Sequence, residues 1–286
     1  MRALSDTPAT GVALMATAML FAPAMDILAK LMTQTVSPGQ TTLARLAAQS
    51  VILLPVVLLA REWGRPTVLH AAAGICLAIA LFCIVTAVSV MPVANALAIF
   101  FVEPLLLTLL SAWLLGEPVG WRRLAAVAVG LAGAMIVLRP NVAAFGWAAA
   151  LPLLTALFFA LYLVITRVVS QRGGRIALQF WAGVFAALTL GTLMLLALPV
   201  GIEPLAFGPM GGRELLILLG MGLLAALTHQ MIAQAFARAE AGALAPLQYL
   251  EIFSATVLGW LVFADFPDPM TWAGTAIIVA SGIYVF

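Results

Sequence analysis

The chain has 286 residues, of which 65% are hydrophobic and only 8% are charged, a balance that excludes a soluble globular protein of this size. The net charge is +2, and the basic residues are dispersed along the sequence, which argues against a nucleic-acid-binding protein. The composition therefore predicts an integral membrane protein.

Apolar windows of roughly 20 residues follow one another along nearly the whole sequence. They lack the alternation of transmembrane strands, so we expect an all-α membrane protein. The first window contains Asp26 and Lys30, which the core of a cleaved signal peptide tolerates poorly, and we treat it as a retained helix. Ten transmembrane helices are predicted, near residues 11–32, 41–60, 67–90, 94–115, 121–138, 145–169, 176–198, 212–236, 243–263 and 270–286.

The distribution of arginine and lysine over the connecting loops predicts the orientation of these helices. If the amino terminus is cytoplasmic, most of the 13 basic residues fall on the cytoplasmic side, among them Arg61, Arg123 and Arg172. Both termini are then cytoplasmic, and the chain is a multi-pass protein of the plasma membrane.

Two stretches about half a chain apart have the same layout. Residues 94–121 are ANALAIFFVEPLLLTLLSAWLLGEPVGW, and residues 241–272 are AGALAPLQYLEIFSATVLGWLVFADFPDPMTW. Each begins with an AxALA step, has an acid at mid-span (Glu103 or Glu251) and a later Trp (Trp113 or Trp260), and ends in a loop with an acid and a proline. Each half then contains five of the ten predicted helices. A unit with an odd number of spans crosses the membrane in the opposite sense when it is repeated, so the halves 1–140 and 141–286 should form two inverted five-helix repeats.

These motifs resemble the drug/metabolite transporter superfamily, whose members share the AxALA start, a mid-span proline, an LLGE turn and a GxxGAxxI-like helix after it. Within that superfamily the sequence is similar to EamA-type carriers and, more loosely, to exporters of amino acids, including aromatic ones. The second half departs from the pattern, because Asp265 replaces the LLGE acid and Pro246 precedes the mid-span acid. The resemblance implies alternating-access export of small metabolites, most of all amino acids, across a bacterial inner membrane.

Ionisable residues inside the predicted helices are candidate site residues, because a charge in hydrocarbon is costly unless it is paired or wetted. Asp26 and Lys30 are one turn apart on the first helix, and Arg45 begins the second from the same side. We expect these three to form an ion pair or an outer gate, with direct substrate binding as the alternative.

A second group of polar residues is expected to line a central cavity. Glu103 and Glu251 each lie about nine residues into a span, near the midplane. His229 is a candidate cavity or proton-relay residue, and a neutral packing role is its alternative. Glu103 and Tyr162 likewise have packing roles as alternatives, Glu103 as a protonated acid. The predicted cavity residues are Asn95, Glu103, Tyr162, His229, Gln230, Gln248, Tyr249 and Glu251.

Three prolines within the apolar spans, Pro23, Pro104 and Pro246, predict kinks, since proline lacks the amide donor that a helix interior requires. Cys76 and Cys83 share one predicted helix, lack a CxxC pattern and are expected to pack as small apolar residues. Small-residue steps in the fifth and tenth spans predict close helix packing, with a dimer interface as the alternative. The oligomeric state is not predicted.

The sequence lacks the residue patterns of common membrane enzymes, including the P-loop, HExxH and the serine elbow, so no catalytic residues, metal or cofactor are expected. The partners expected are a small-molecule substrate and the lipid bilayer. Two alternatives remain to be tested below. One is a carrier of the same fold for drug-like cations or other metabolites, and the other is an intramembrane enzyme acting on lipid carriers.

Overall fold

A computed structural model of the protein describes residues 7–61, 63–91, 93–138, 142–172, 174–254, 257 and 269–284. Every regular element in these ranges is helical, which confirms the all-α prediction for the described part of the chain. The α-helices are α1 (Pro8–Met32), α2 (Pro38–Ala60), α3 (Val68–Val90), α4 (Val93–Phe100), α5 (Glu103–Leu115), α6 (Trp121–Leu138), α7 (Ala150–Gln171), α8 (Arg175–Ala197), α9 (Gly212–Phe236), α10 (Ala241–Leu244) and α11 (Pro269–Tyr284).

Shorter helical pieces complete these elements. Residues 250–254 are α-helical, and 3₁₀ turns occupy Val142–Ala149, Leu198–Val200, Glu203–Leu205 and Ala245–Tyr249. Among the described residues, six helical segments are long and apolar enough to cross a membrane, and they coincide with the first, second, third, sixth, seventh and eighth predicted spans. The other predicted spans fall on shorter or interrupted helices, so the number ten is not confirmed. Trp260 and Asp265 lie outside the described residues.

The first three long helices begin at side-chain caps, which satisfy backbone amides that have no partner within a helix. The hydroxyls of Thr7 and Ser37 accept from the amides of Thr10 and Gln40, each with a proline directly after the cap. At the start of α3, the amide of Thr67 donates to Nδ1 of His70 over 3.0 Å. Each of these helices therefore has a defined beginning.

The two stretches with matching layouts are both interrupted near mid-span. Helix α4 ends at Phe100 and α5 begins at Glu103, with Pro104 in the first turn, where a missing amide hydrogen costs no helical bond. Pro246 occupies the same early position in the 3₁₀ turn Ala245–Tyr249. The hydroxyl of Tyr249 donates to the carbonyl of Phe101 over 3.2 Å, so the two interruptions meet. Pro23, in contrast, lies inside α1, which continues through it.

Helix pairs that cross between the halves form most of the bundle. Helix α1 packs against α9, and α3 packs against α7, while α2 packs against α8 and α6 against α11. Exchanging the halves of the chain converts the first pair into the second and leaves the other two unchanged. The packing therefore has the symmetry expected of a duplicated unit.

A glycine permits the close approach of α3 and α8. A Cβ atom at Gly74 would lie 2.7 Å from the carbonyl oxygen of Ala182 and 2.9 Å from the amide of Ala186. Both are backbone atoms and cannot rotate away. At Gly191 of α8, the nearest atom to an added Cβ is the side-chain Cδ1 of Leu43 at 3.7 Å, an ordinary contact.

We expect Gly74→Ala to lower the free energy of unfolding by about 1–3 kcal/mol, because the added methyl group forces α3 and α8 apart. The same substitution at Gly191 is the matched control, and it should be neutral or slightly stabilising, since alanine favours a helix. The melting temperature of each variant in detergent is measured as the temperature at which monodisperse protein is lost. Equal melting temperatures for the two variants would contradict the close packing.

Candidate functional site

A cavity of about 80 Å³ lies in the centre of the bundle, where α1, α2, α3, α4, α7 and α9 meet the interrupted segment 245–251. Ligand pockets of small-molecule sites usually exceed roughly 300 Å³, so this cavity is small for such a site and has room for a few water molecules. Its polar residues include Asp26, Arg45, His229, Gln248 and Glu251, and its aromatic residues are Phe100 and Phe159.

Charged groups from both halves meet on one side of this cavity. Asp26 of α1 lies beside Glu251, and it is near enough to Arg45 of α2 for the two charges to interact. The hydroxyl of Ser254 donates to the carbonyl of Met19 over 3.0 Å, which holds the segment 250–254 against α1. Two acids and one base are thus brought together where the chain halves touch. We call Asp26, Arg45 and Glu251 the charged cluster.

Polar contacts behind another part of the cavity wall involve Gln49, Tyr162, Gln179 and His229. Nδ1 of His229 lies 3.2 Å from Oε1 of Gln49, and the hydroxyl of Tyr162 donates to Oε1 of Gln179 over 2.8 Å. The rings of Tyr162 and His229 are 5.9 Å apart between centroids. These contacts join α2, α7, α8 and α9, so each of these polar side chains is oriented by a neighbouring helix.

Glu103 lies behind the cavity rather than in its wall. It is fully buried, and neither carboxyl oxygen has a hydrogen-bond partner among the described residues. The amide of Gln248 and the ring of Tyr249 are close to it, yet the Gln248 amide nitrogen is also without a partner in the described part of the chain. Glu103 is therefore a buried acid beside the meeting point of the two interruptions.

Of the predicted site residues, the structure places Asp26, Arg45, His229, Gln248 and Glu251 in the cavity wall, whereas Lys30, Glu103, Tyr162, Gln230 and Tyr249 do not line the cavity. Lys30 is exposed, so the predicted cluster of Asp26, Lys30 and Arg45 lacks its lysine. Gln230 is half-buried and does not line the cavity, and Tyr249 is buried behind it. The backbone of Asn95 belongs to α4, whereas its side chain lies outside the described residues. No metal-binding cluster of three or more His, Cys, Asp or Glu occurs among the residues described.

A second polar network lies at the end of the bundle that carries Arg61, Arg123, Arg167 and Arg172, which we call the basic end. Nε of Arg167 donates to Oε1 of Glu117 over 2.9 Å, and each side chain is only 9% exposed. The other oxygen of Glu117 accepts from the amide of Gly242 at 3.3 Å. Arg167 also donates to the carbonyl of Phe236.

The sequence analysis did not identify this network. Glu117 is the acid of the LLGE turn and Arg167 is one of the dispersed basic residues, but neither pattern predicts that the two side chains pair. Gln179 was not predicted either, because that residue lies near the start of its span, where polar residues are common. The sequence signal that could have identified these residues is a polar side chain within one helical turn of an apolar span.

A sequence model described as the EamA-like transporter family matches residues 9–139 and, a second time, residues 146–286. The chain belongs to the EamA-like transporter family. It is 31% identical to the riboflavin transporter of Rhizobium johnstonii over 201 residues, which are 70% of this chain and 64% of that protein. The aligned region thus spans less than two thirds of that relative.

Other EamA relatives match over more of their length. The S-adenosylmethionine uptake transporter of Rickettsia felis is 24% identical over 96% of this chain and 92% of that protein. The pseudopaline exporter CntI of Pseudomonas aeruginosa is 28% identical over 73% and 72%, respectively. A solved structure, described only as a crystal structure of a protein, has a TM-score of 0.77 and 19% identity over 96% of this chain and 95% of that chain.

These similarities confirm the predicted family and the likeness to small-metabolite transporters. They do not confirm the amino-acid exporter branch, since the named relatives transport riboflavin, S-adenosylmethionine or pseudopaline. The match of one family model to each half also shows that the chain contains two copies of the EamA unit.

We expect a cysteine at Ala22, which lines the cavity, to react with a small methanethiosulfonate reagent in a background lacking Cys76 and Cys83. Ala18, one turn earlier on α1, is fully buried and outside the cavity wall, so Ala18→Cys is the matched control. Mass spectrometry after timed labelling measures both. Faster labelling at Ala18 than at Ala22 would show that solvent does not reach this cavity.

Proposed function

We propose that this EamA protein is a secondary transporter that exports small zwitterionic metabolites, foremost amino acids with apolar or aromatic side chains. The observation that carries the proposal is a central cavity lined by two acids, one base and two aromatic rings. Membership in a transporter family supports the class of activity.

The cavity offers complementary surfaces to both ends of such a molecule. The carboxyl groups of Asp26 and Glu251 suit an ammonium group, and the rings of Phe100 and Phe159 suit an apolar or aromatic side chain. Few other polar groups face the space, so few side chains would be rejected by unpaired donors or acceptors. We therefore expect a broad range of amino acids rather than one.

The mechanism that we propose is alternating access by two inverted halves, residues 1–140 and 141–286, that rock around the cavity in the bacterial inner membrane. The pairing of α1 with α9 and of α3 with α7 supports this division, because each pair joins one helix from either half. With both termini cytoplasmic, the basic end faces the cytoplasm, as the distribution of arginine favours.

Purified protein in liposomes should carry labelled L-phenylalanine across the bilayer, while liposomes without protein should not. Unlabelled riboflavin and S-adenosylmethionine, added separately, test whether the substrates named for the relatives compete. Inside-out and right-side-out bacterial vesicles, compared under the same gradient, measure the preferred direction. Export predicts faster accumulation in the inside-out vesicles.

Two results would replace the proposal by one of its rivals. Flux of an apolar quaternary ammonium ion without phenylalanine flux would favour a cation carrier. The cavity is compatible with that rival because its two acids, Asp26 and Glu251, outnumber its one base, Arg45. A chemically altered lipid carrier without movement of any solute would favour an intramembrane enzyme.

The network at the basic end is suited to close the cytoplasmic side of the pathway. Glu117 follows α5 of the first half, whereas Arg167, Phe236 and Gly242 belong to the second half. Breaking a buried ion pair is costly when either partner is left alone. We infer that these bonds hold the closed state and separate together when the cavity opens toward the cytoplasm.

A disulfide across this contact should stop transport. A Cβ atom at Gly242 would lie 3.4 Å from Oγ of Ser111, which is close enough for the pair Ser111→Cys and Gly242→Cys to be oxidised. We expect oxidation of the double variant to abolish flux and a reductant to restore it. Each single variant, in the background without Cys76 and Cys83, is the control and should not respond. Full flux by the cross-linked protein would show that the basic end does not open.

A further inference from the structure

Arg45 is a buried cation whose hydrogen-bonding capacity is largely unused. Its side chain lines the cavity, and the residue is 4% exposed. Nη2 donates to the sulfur of Met25 over 3.4 Å, a weak acceptor, and Nε has no partner in the described part of the chain. A guanidinium group carries five N–H donors, so most of them are available to another molecule.

Asp26 does not fill this role in the structure. Its charge interacts with Arg45, yet no described carboxylate forms an ion pair with the guanidinium group. Asp26 instead lies beside Glu251. The four remaining polar residues of the wall, Thr155, Thr228, His229 and Gln248, offer no negative charge. The buried guanidinium therefore faces the cavity without an anion of its own.

We propose that Arg45 is the residue that binds the carboxylate of the transported molecule. A carboxylate accepts two parallel bonds from a guanidinium, and these bonds are strong where water is excluded. With the carboxylate at Arg45, the ammonium group of an amino acid is directed toward Asp26 and Glu251, and its side chain toward Phe100 and Phe159. Arg45 thereby selects acids over the corresponding amides and amines. This inference rests on the proposed function.

The test compares L-phenylalanine with L-phenylalaninamide, which keeps the ammonium group and the ring and lacks the carboxylate. The wild-type protein should prefer phenylalanine when initial rates are measured in liposomes at equal, subsaturating concentrations. Arg45→Gln should reduce that preference by about 10- to 100-fold, the loss expected for a bidentate charged contact. Arg45→Lys keeps the charge without the planar fork and should lose only part of the preference.

A second comparison separates substrate binding from simple neutralisation of Asp26. If Arg45 served only to balance Asp26, the double variant Asp26→Asn with Arg45→Gln would recover the preference for phenylalanine. We expect it to remain without that preference. Thermal melting of each variant shows whether it is folded, and the ratio of two fluxes in one preparation does not depend on the amount of active protein.

Three outcomes would overturn the inference. They are a wild-type protein that carries the amide as well as the acid, an Arg45→Gln protein that keeps the wild-type preference, and a double variant that regains it. Each leaves the proposed function standing if phenylalanine crosses the bilayer. The absence of phenylalanine flux by the wild-type protein would overturn both, so the two failures are distinguishable.

Discussion

The centre of this bundle is shaped by the free-energy cost of polar groups in hydrocarbon, which a partner inside the protein reduces. Two chain interruptions, before Glu103 and at Ala245–Tyr249, free backbone groups at that depth. One of these backbone groups is satisfied by a side chain, because the hydroxyl of Tyr249 donates to the carbonyl of Phe101. Helix α6 makes room for this contact, since a Cβ atom at Gly130 would lie 2.5 Å from the Tyr249 ring. The position of the cavity follows from this junction, which holds Phe100 and Gln248 at its wall.

The same cost explains why the charged cluster lies where the halves meet. A lone carboxylate at this depth would be costly, whereas Asp26, Arg45 and Glu251 partly balance one another. Glu251 comes from the second half, while Asp26 and Arg45 come from the first. The electrostatic balance of the cavity therefore depends on the relative position of the halves, and any rocking motion changes it.

The sequence predicted the features that depend on local patterns. The lengths of the apolar stretches predicted the long helices, and Pro104 predicted the interruption after α4. The rule that charged residues in a membrane face the protein interior identified four residues of the cavity wall, Asp26, Arg45, His229 and Glu251. Lys30 escaped this reasoning because its long stem allows its ammonium group to reach the surface from a position one turn after Asp26. The bond between Glu117 and Arg167 was missed because it joins a loop to a helix 50 residues away, and no periodicity connects them.

Helix α5 links the cavity to the basic end. It begins at Glu103, directly beyond the interruption, and its last residue, Leu115, is two positions before Glu117. Its 13 residues form a straight rod of about 20 Å, since each residue adds roughly 1.5 Å. The chain interruption lies at one end of α5, and the ion pair between Glu117 and Arg167 lies just beyond the other. Helix α5 therefore connects the chain interruption beside Phe100 with the ion pair at the basic end.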